Sequence, residues 1–237
     1  MNTGKRIAIV QSNYIPWKGY FDLINLVDEF ILYDDRQYTR HNWRNRNRIK
    51  TPQGAQWLTI PVKGNNRQRI DETLISDSSW GARHWKTLTH NYGKAPHFDD
   101  YSDHFDRLYR EVRDPRLSIV NRTFLEEICA ILGITTRLSW SSDYDVEGAQ
   151  TERAVGLCQA AGATSYLSGP TAREYTEEDL FEDAGIAVEY MDYAGYPEYP
   201  QLYAPFDHAV TVLDLLFNTG PDATRFMKSF AGRHVRV

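Results

Sequence analysis

Only two cysteines occur in the 237 residues, Cys129 and Cys158, too few for a disulfide framework and without metal-ligand spacing. Both sit in apolar helical patterns, where they read as small core residues in a reducing cytoplasm. No apolar stretch approaches the roughly 18 residues that cross a bilayer, so membrane insertion is not expected. The opening Met1–Arg6 runs straight into a short strand without the apolar region of a signal peptide, which points to a cytoplasmic location. A P-loop, a Gly-x-Gly-x-x-Gly fingerprint, a Gly-x-Ser-x-Gly elbow and a zinc-protease histidine pair are all missing. An excess of positive charge is missing too. With 27 basic against 32 acidic residues the net charge is −5, and nucleic acid is not an expected partner of the molecule as a whole.

What is present is an ordinary globular composition, 41% hydrophobic and 25% charged, at a length that suits one large α/β domain over residues 1–237. Aromatic residues make up 13%, and many of the 15 Tyr and 6 Trp fall in polar loops, where they suit a ring-bearing or polyhydroxylated ligand and leave room for a homodimer. Residues 7–11 and 29–34 read as strands joined by a helix over 20–28, a βαβ unit of the expected length. Residues 36–56 show no clean period and read as loop, and 57–62 reads as a third short strand ending near Pro61. A mainly helical insertion is expected over about 77–116. Helices over 117–132 and 151–161 then end at Gly133 and Gly162 and feed strands at 136–141 and 165–168. Helix, glycine, strand twice in succession predicts a Rossmann-like doubly wound, mostly parallel sheet carrying that insertion.

Four segments carry groups that a connector does not need. Gln11–Tyr20, which leaves the first strand and enters the first helix, holds Gln11, Asn13, Tyr14, Trp17, Lys18 and Tyr20. Lys18 at the foot of a helix suits phosphate or carboxylate, and the three aromatic rings suit a base or a sugar. The bland alternative is that Pro16 and Trp17 pack the loop while Lys18 is solvated. Asp34-Asp35 end the second strand on the same edge, where paired carboxylates suit a metal, ribose hydroxyls or a substrate amine. Asn45-Arg46-Asn47-Arg48 follows, a dense cationic stretch that repels itself unless an anion fills it. Read blandly, those charges only neutralise one another. Ser168-Gly169 after a later strand offers hydroxyl and amides to a phosphate. Finally, a stiff Tyr/Pro-rich stretch over 196–206 suits a pocket wall. His208 beside it is an acid–base candidate, though a lone histidine is more often structural.

Gln-Ser-Asn-Tyr-Ile-Pro-Trp-Lys-Gly-Tyr-Phe at 11–21, Asn-Arg-Asn-Arg-Ile at 45–49, Tyr-Leu-Ser-Gly-Pro at 166–170 and Leu-Asp-Leu-Leu-Phe-Asn at 213–218 together resemble the WbqC-like family over nearly the whole chain. The resemblance implies a place in O-antigen, polysaccharide or other specialised biosynthesis, without fixing a reaction. More distantly, the opening resembles nucleotidylyltransferase-like folds such as pantothenate synthetase, but Trp17 and Tyr20 stand where those carry phosphate-holding histidines, so adenylyl transfer does not carry over.

These readings converge on an enzyme acting on a small anionic substrate by acyl or aminoacyl transfer or ligation to an amine. Lys18, Asp34 and Asp35 are the catalytic candidates. Gln11, Asn13, Tyr14, Trp17, Tyr20, Asn45, Arg46, Arg48, Ser168 and Gly169 are the binding candidates. No metal ligand set is assigned, and ATP with magnesium is the cofactor a ligase would add. The alternatives are a non-catalytic sugar-nucleotide or glycan-binding protein and, third, an RNA-binding module using residues 36–50.

Overall fold

The computed structural model describes residues 4–63 and 67–231. The chain opens with β1 (Lys5–Val10), α1 (Lys18–Asn25) and β2 (Glu29–Leu32). It then leaves the sheet for a hairpin, β3 (Arg46–Thr51) and β4 (Gly54–Thr59), and for the helix pair α2 (Trp80–Tyr92) and α3 (Phe98–Glu111). It returns through α4 (Leu117–Leu132) to β5 (Arg137–Trp140). The remainder alternates α5 (Gln150–Ala160), β6 (Ala163–Ser168), α6 (Glu178–Asp183) and β7 (Ala187–Tyr190) before α7 (Val212–Thr219).

Five of these strands form one wholly parallel sheet in the order β5-β2-β1-β6-β7. A parallel sheet needs cover on both faces, and the alternation along β1 supplies it. Ala8 joins a large core with α1, α2, α3, α4 and α7, whereas Ile7 and Ile9 join a smaller one with α5 and α6. The fold is therefore doubly wound and Rossmann-like. Strand order reverses between β1 and β6, the position where open α/β sheets leave a crevice at the strands' carboxyl ends. Gly133 and Gly162, at φ +70° and +69°, end α4 and α5 in the left-handed turn that releases the chain into the next strand.

The segment expected to be loop over 36–56 contains β3, and the strand expected at 57–62 is β4, paired antiparallel with β3 apart from the main sheet. Asn45, Asn47 and Ile49 are buried while Arg46 and Arg48 are half-buried. The period of two is real, but polar residues supply it, so a reading based on hydrophobic alternation passes over it.

Candidate functional site

The loop after β1 is fixed by donors and acceptors from distant parts of the chain. The Tyr14 N–H donates to Trp43 O at 3.1 Å, and the Val212 N–H donates to Pro16 O at 2.9 Å. Asn47 Nδ2 donates to the carbonyls of Tyr14 and Ile15 at 3.1 and 3.0 Å. Ile15 sits at φ +37°, a backbone conformation that costs a β-branched residue on the order of 1–3 kcal/mol, which these four bonds hold in place.

This loop lines one of two clefts, and its Ser12 N–H meets a carboxylate of the other. The first, about 300 Å³, is mainly apolar and is lined by Asn13, Pro16, Trp17, Trp43, Asn47, His208 and Ala209. Tyr193 and Tyr196 pack edge-on or tilted behind Trp17, at 5.1 and 5.4 Å between ring centres. Burial and the nearby Lys18 ammonium lower the His208 pKa, and its Nδ1 is buried without a hydrogen-bond partner among the described residues. The Tyr/Pro-rich stretch is anchored beneath by two buried carboxylates, with Tyr196 donating to Asp22 and Tyr199 to Asp214.

The second cleft, about 240 Å³, opens at the ends of β2 and β5 and is polar. Asp34, Asp35 and Asp71 line it with Ser118, Ser141 and Arg116, and Arg116 is already paired with Asp114. Asp34 is 1% exposed. Its Oδ1 accepts the Ser12 N–H at 2.7 Å, and its Oδ2 is buried without a partner among the described residues. Burial raises its pKa to about 6, against the lowering effect of Ser12 and of the Arg44 charge. Such a site favours a cation that brings its own N–H donors. Among the described residues, no three His, Cys, Asp or Glu side chains are grouped to hold a metal ion.

The candidates from the sequence divide between these places and the interior. Asn13 and Trp17 line the apolar cleft, Asp34 and Asp35 the acidic one. Gln11 and Asn13 accept from Arg44, which joins the loop to the segment before β3. Tyr14 is corrected from ligand stacking to core: it is fully buried, with its hydroxyl between His84 Nδ1 and Tyr109 Oη at 2.9 and 2.7 Å. Tyr20 is core as well, packing on Phe30 and donating to Gln11 O.

Lys18 is 2% exposed and pairs with no carboxylate among the described residues. It donates to Pro197 O at 2.9 Å and lies 5.0 Å from the ring centres of both Tyr196 and Tyr199. Burial lowers its pKa to about 8, against the raising effect of Asp22 and Asp214. It anchors the wall behind Trp17 instead of presenting itself to an anion.

Asn45 donates to Ile60 O. Arg46 stacks on Trp57 at 4.0 Å and, with Asn45, lines a separate cavity of about 450 Å³. Arg48 pairs with Asp207 at 2.8 Å. Ser168 is buried against Tyr166 on the α5 and α6 face, and the Gly169 carbonyl accepts from Ala172. Among the described residues Lys18 and Ser168 are buried apart while Arg46 lines a cavity of its own, so the single anionic cradle expected of the three is not seen.

Arg44, Asn47, Asp71 and Ser141 are the site residues that sequence reasoning passed over. Arg44 and Asn47 were legible only as members of the basic run, and their roles depend on β3 bringing them against the first loop.

The fold and these clefts define a class: an α/β protein of Rossmann-like topology whose candidate site lies at the carboxyl edge of the sheet, between the β1 loop and a hairpin insertion. The chain belongs to the WbqC-like protein family, which matches residues 11–226. It is 52% identical over 226 residues, 94% of this chain and 98% of that protein, to the uncharacterized protein Rv1507c of Mycobacterium tuberculosis. No solved structure matches it.

Proposed function

We propose that the chain is a cytoplasmic biosynthetic enzyme that joins an acyl or aminoacyl group to an amine carried by a sugar nucleotide or a specialised metabolite. The observation that supports this reading is the Asp34 carboxyl, buried with one oxygen unpartnered in a cleft that holds two further carboxylates. An ammonium group fits that surrounding. With a pKa of about 6, Asp34 is mostly ionised at neutral pH and takes a proton from the ammonium, leaving a nitrogen lone pair. The nitrogen then forms a bond to the acyl carbon. The bond from that carbon to its leaving group breaks with the electron pair on the leaving group, and the second nitrogen proton passes to solvent. Positioning and one base suffice for such a step when the acyl donor arrives activated. The apolar cleft beside Trp17 and Trp43 suits the apolar part of that donor.

The test is amide formation followed by mass spectrometry, using amino-sugar nucleotides with acyl-coenzyme A, or with an acid and ATP. Asp34→Asn should abolish product while ligand-induced thermal shifts persist. Unchanged turnover in Asp34→Asn overturns the assignment.

A second reading has its own observation. Trp43 and Trp57 are 41% and 42% exposed with ring centres 5.2 Å apart, a ledge on which a sugar can stack. A non-catalytic glycan or sugar-nucleotide binder would lose ligand in Trp43→Ala and give no product with any donor.

A further inference from the structure

The hairpin insertion holds a cavity of about 450 Å³ that the proposed reaction does not use. Tyr38, Arg40 and His41 reach it from the segment before β3, Asn45 and Arg46 from the start of β3, and Thr59 and Val62 from the end of β4. It shares no lining residue with the apolar or the acidic cleft. The surrounding sequence is one-sided in charge. Residues 36–70 carry nine Lys or Arg and no Asp or Glu, in a chain whose net charge is −5. Arg36, Arg48 and Arg69 reach carboxylates outside that stretch. Arg46 forms no ion pair among the described residues, and the cavity lining contains no carboxylate.

Arg46 is held in place without being neutralised. Its guanidinium carbon lies 4.0 Å from the centre of the Trp57 ring, and its Nη2 donates to His41 O. Its Nη1 is not buried and has no hydrogen-bond partner among the described residues. Tyr38 supplies a second unspent donor. The residue is only 1% exposed, and its hydroxyl, without a partner among the described residues, opens into the cavity that the residue lines. Burial raises the Tyr38 pKa against the charges of Arg40 and Arg46, so both cations act on that oxygen. A hydroxyl and a guanidinium left unpaired around one space suit an oxyanion, which answers both with charge-assisted bonds. The rest of the lining is mainly polar: His41 and Thr59 are exposed, and Val62 is the one aliphatic side chain. Such walls suit a polyhydroxylated body better than an acyl chain.

We infer that this cavity binds an acidic monosaccharide, its phosphate or carboxylate oxygens on Arg46 Nη1 and the Tyr38 hydroxyl beside Arg40, and its hydroxyl groups against His41 and Thr59. A free inorganic anion would leave most of the cavity empty, and a neutral sugar would leave both donors unmade. A terminal acid group can enter far enough to meet Tyr38, whereas a phosphodiester within a nucleic acid strand carries chain on both sides. The inference stands independently of the amide-forming reading, because the lining residues are different.

Isothermal titration of the intact protein with glucose 6-phosphate, glucuronate, glucose and inorganic phosphate tests it. At least one acidic sugar should bind, and which one does tells a phosphate site from a carboxylate site. Glucose should bind more weakly by about tenfold or more for lack of charge-assisted bonds. Inorganic phosphate should compete with the bound sugar at lower affinity. Tyr38→Phe keeps the buried ring and removes no hydrogen bond within the described protein, so folding survives; the acidic sugar should weaken by about tenfold. Arg46→Gln should weaken it by about tenfold or more. Arg48→Ala removes an equal charge from the same hairpin outside the cavity and should leave binding unchanged. Failure of both acidic sugars to bind the folded protein overturns the inference. So does binding that Tyr38→Phe and Arg46→Gln leave unchanged, binding that Arg48→Ala weakens as much, or tighter binding of a ribo-oligonucleotide. Product formation in the amide assay bears on none of these outcomes.

Discussion

The apolar cleft lined by the β1 loop and the acidic cleft at the ends of β2 and β5 are lined by different residues and built on different principles. One is walled by tryptophan, proline and a histidine of lowered pKa; the other by three carboxylates, one of them raised to about 6 by burial. The apolar cleft is built by packing, since Trp17 is held by Tyr193 and Tyr196 and the whole wall rests on Lys18 and buried acids. The acidic cleft is built by withholding a partner, since Asp34 Oδ2 is buried and unanswered. Packing creates shape at little electrostatic cost. An unanswered carboxylate creates reactivity, and the fold is less stable for it.

The largest effect that separates the two clefts should come from Asp34→Asn. Turnover should fall by about 10²-fold or more with loss of the base, measured as amide product per enzyme. Wild-type turnover should show an acidic limb near pH 6, where Asp34 takes up its proton. Stability should move the other way. Because the folded pKa is raised from 3.8 to about 6, the stabilisation is fully present below pH 3.8 and lost as pH rises through about 6. Asparagine does not ionise, so its melting temperature should match wild type near pH 4 and exceed it at pH 7, a difference worth about 3 kcal/mol. A melting curve indifferent to pH would remove the contrast between the clefts.

Asn47→Ala attacks the loop that lines the apolar cleft. It leaves two buried carbonyls unanswered beside the strained Ile15 and should cost about 2–4 kcal/mol by thermal or denaturant unfolding. The apolar cleft should lose ligand with it. Trp43→Ala touches only the apolar side. Binding of a ring-bearing or acyl ligand should weaken by about tenfold, as expected for one aromatic contact, with the pH limb of turnover unmoved. Arg48→Ala removes a part-exposed pair with Asp207 and should change stability by less than about 1 kcal/mol. That small effect would separate Arg48 from the site residues it neighbours in sequence.

The fold was the more legible part. β1, α1, β2, β5 and β6 follow from apolar runs, helical periods and terminal glycines, and each falls within a few residues of where the pattern puts it. The hairpin was not legible as such because asparagines carry its buried face, and an apolar-period reading has no term for a polar residue that is satisfied by backbone carbonyls. The site was legible in its segments and less so in its residues. Asp34, Asp35, Asn13 and Trp17 line the clefts that their segments suggested. Tyr14 in the same loop and Lys18 and Tyr20 in the first turn of α1 face inward, and nothing in the spacing of so short a segment tells an inward tyrosine from an outward one. His208 gained weight only when the fold set it beside Trp17.

The loop that lines the apolar cleft takes its bonds from residue 43, from residue 47 and, at Pro16, from Val212, far along the chain. A chain that lacked α7 would hold its first strands and still own no competent wall. Recognition in the apolar cleft would then report on a contact between residues remote in sequence, because its wall forms only once they have met.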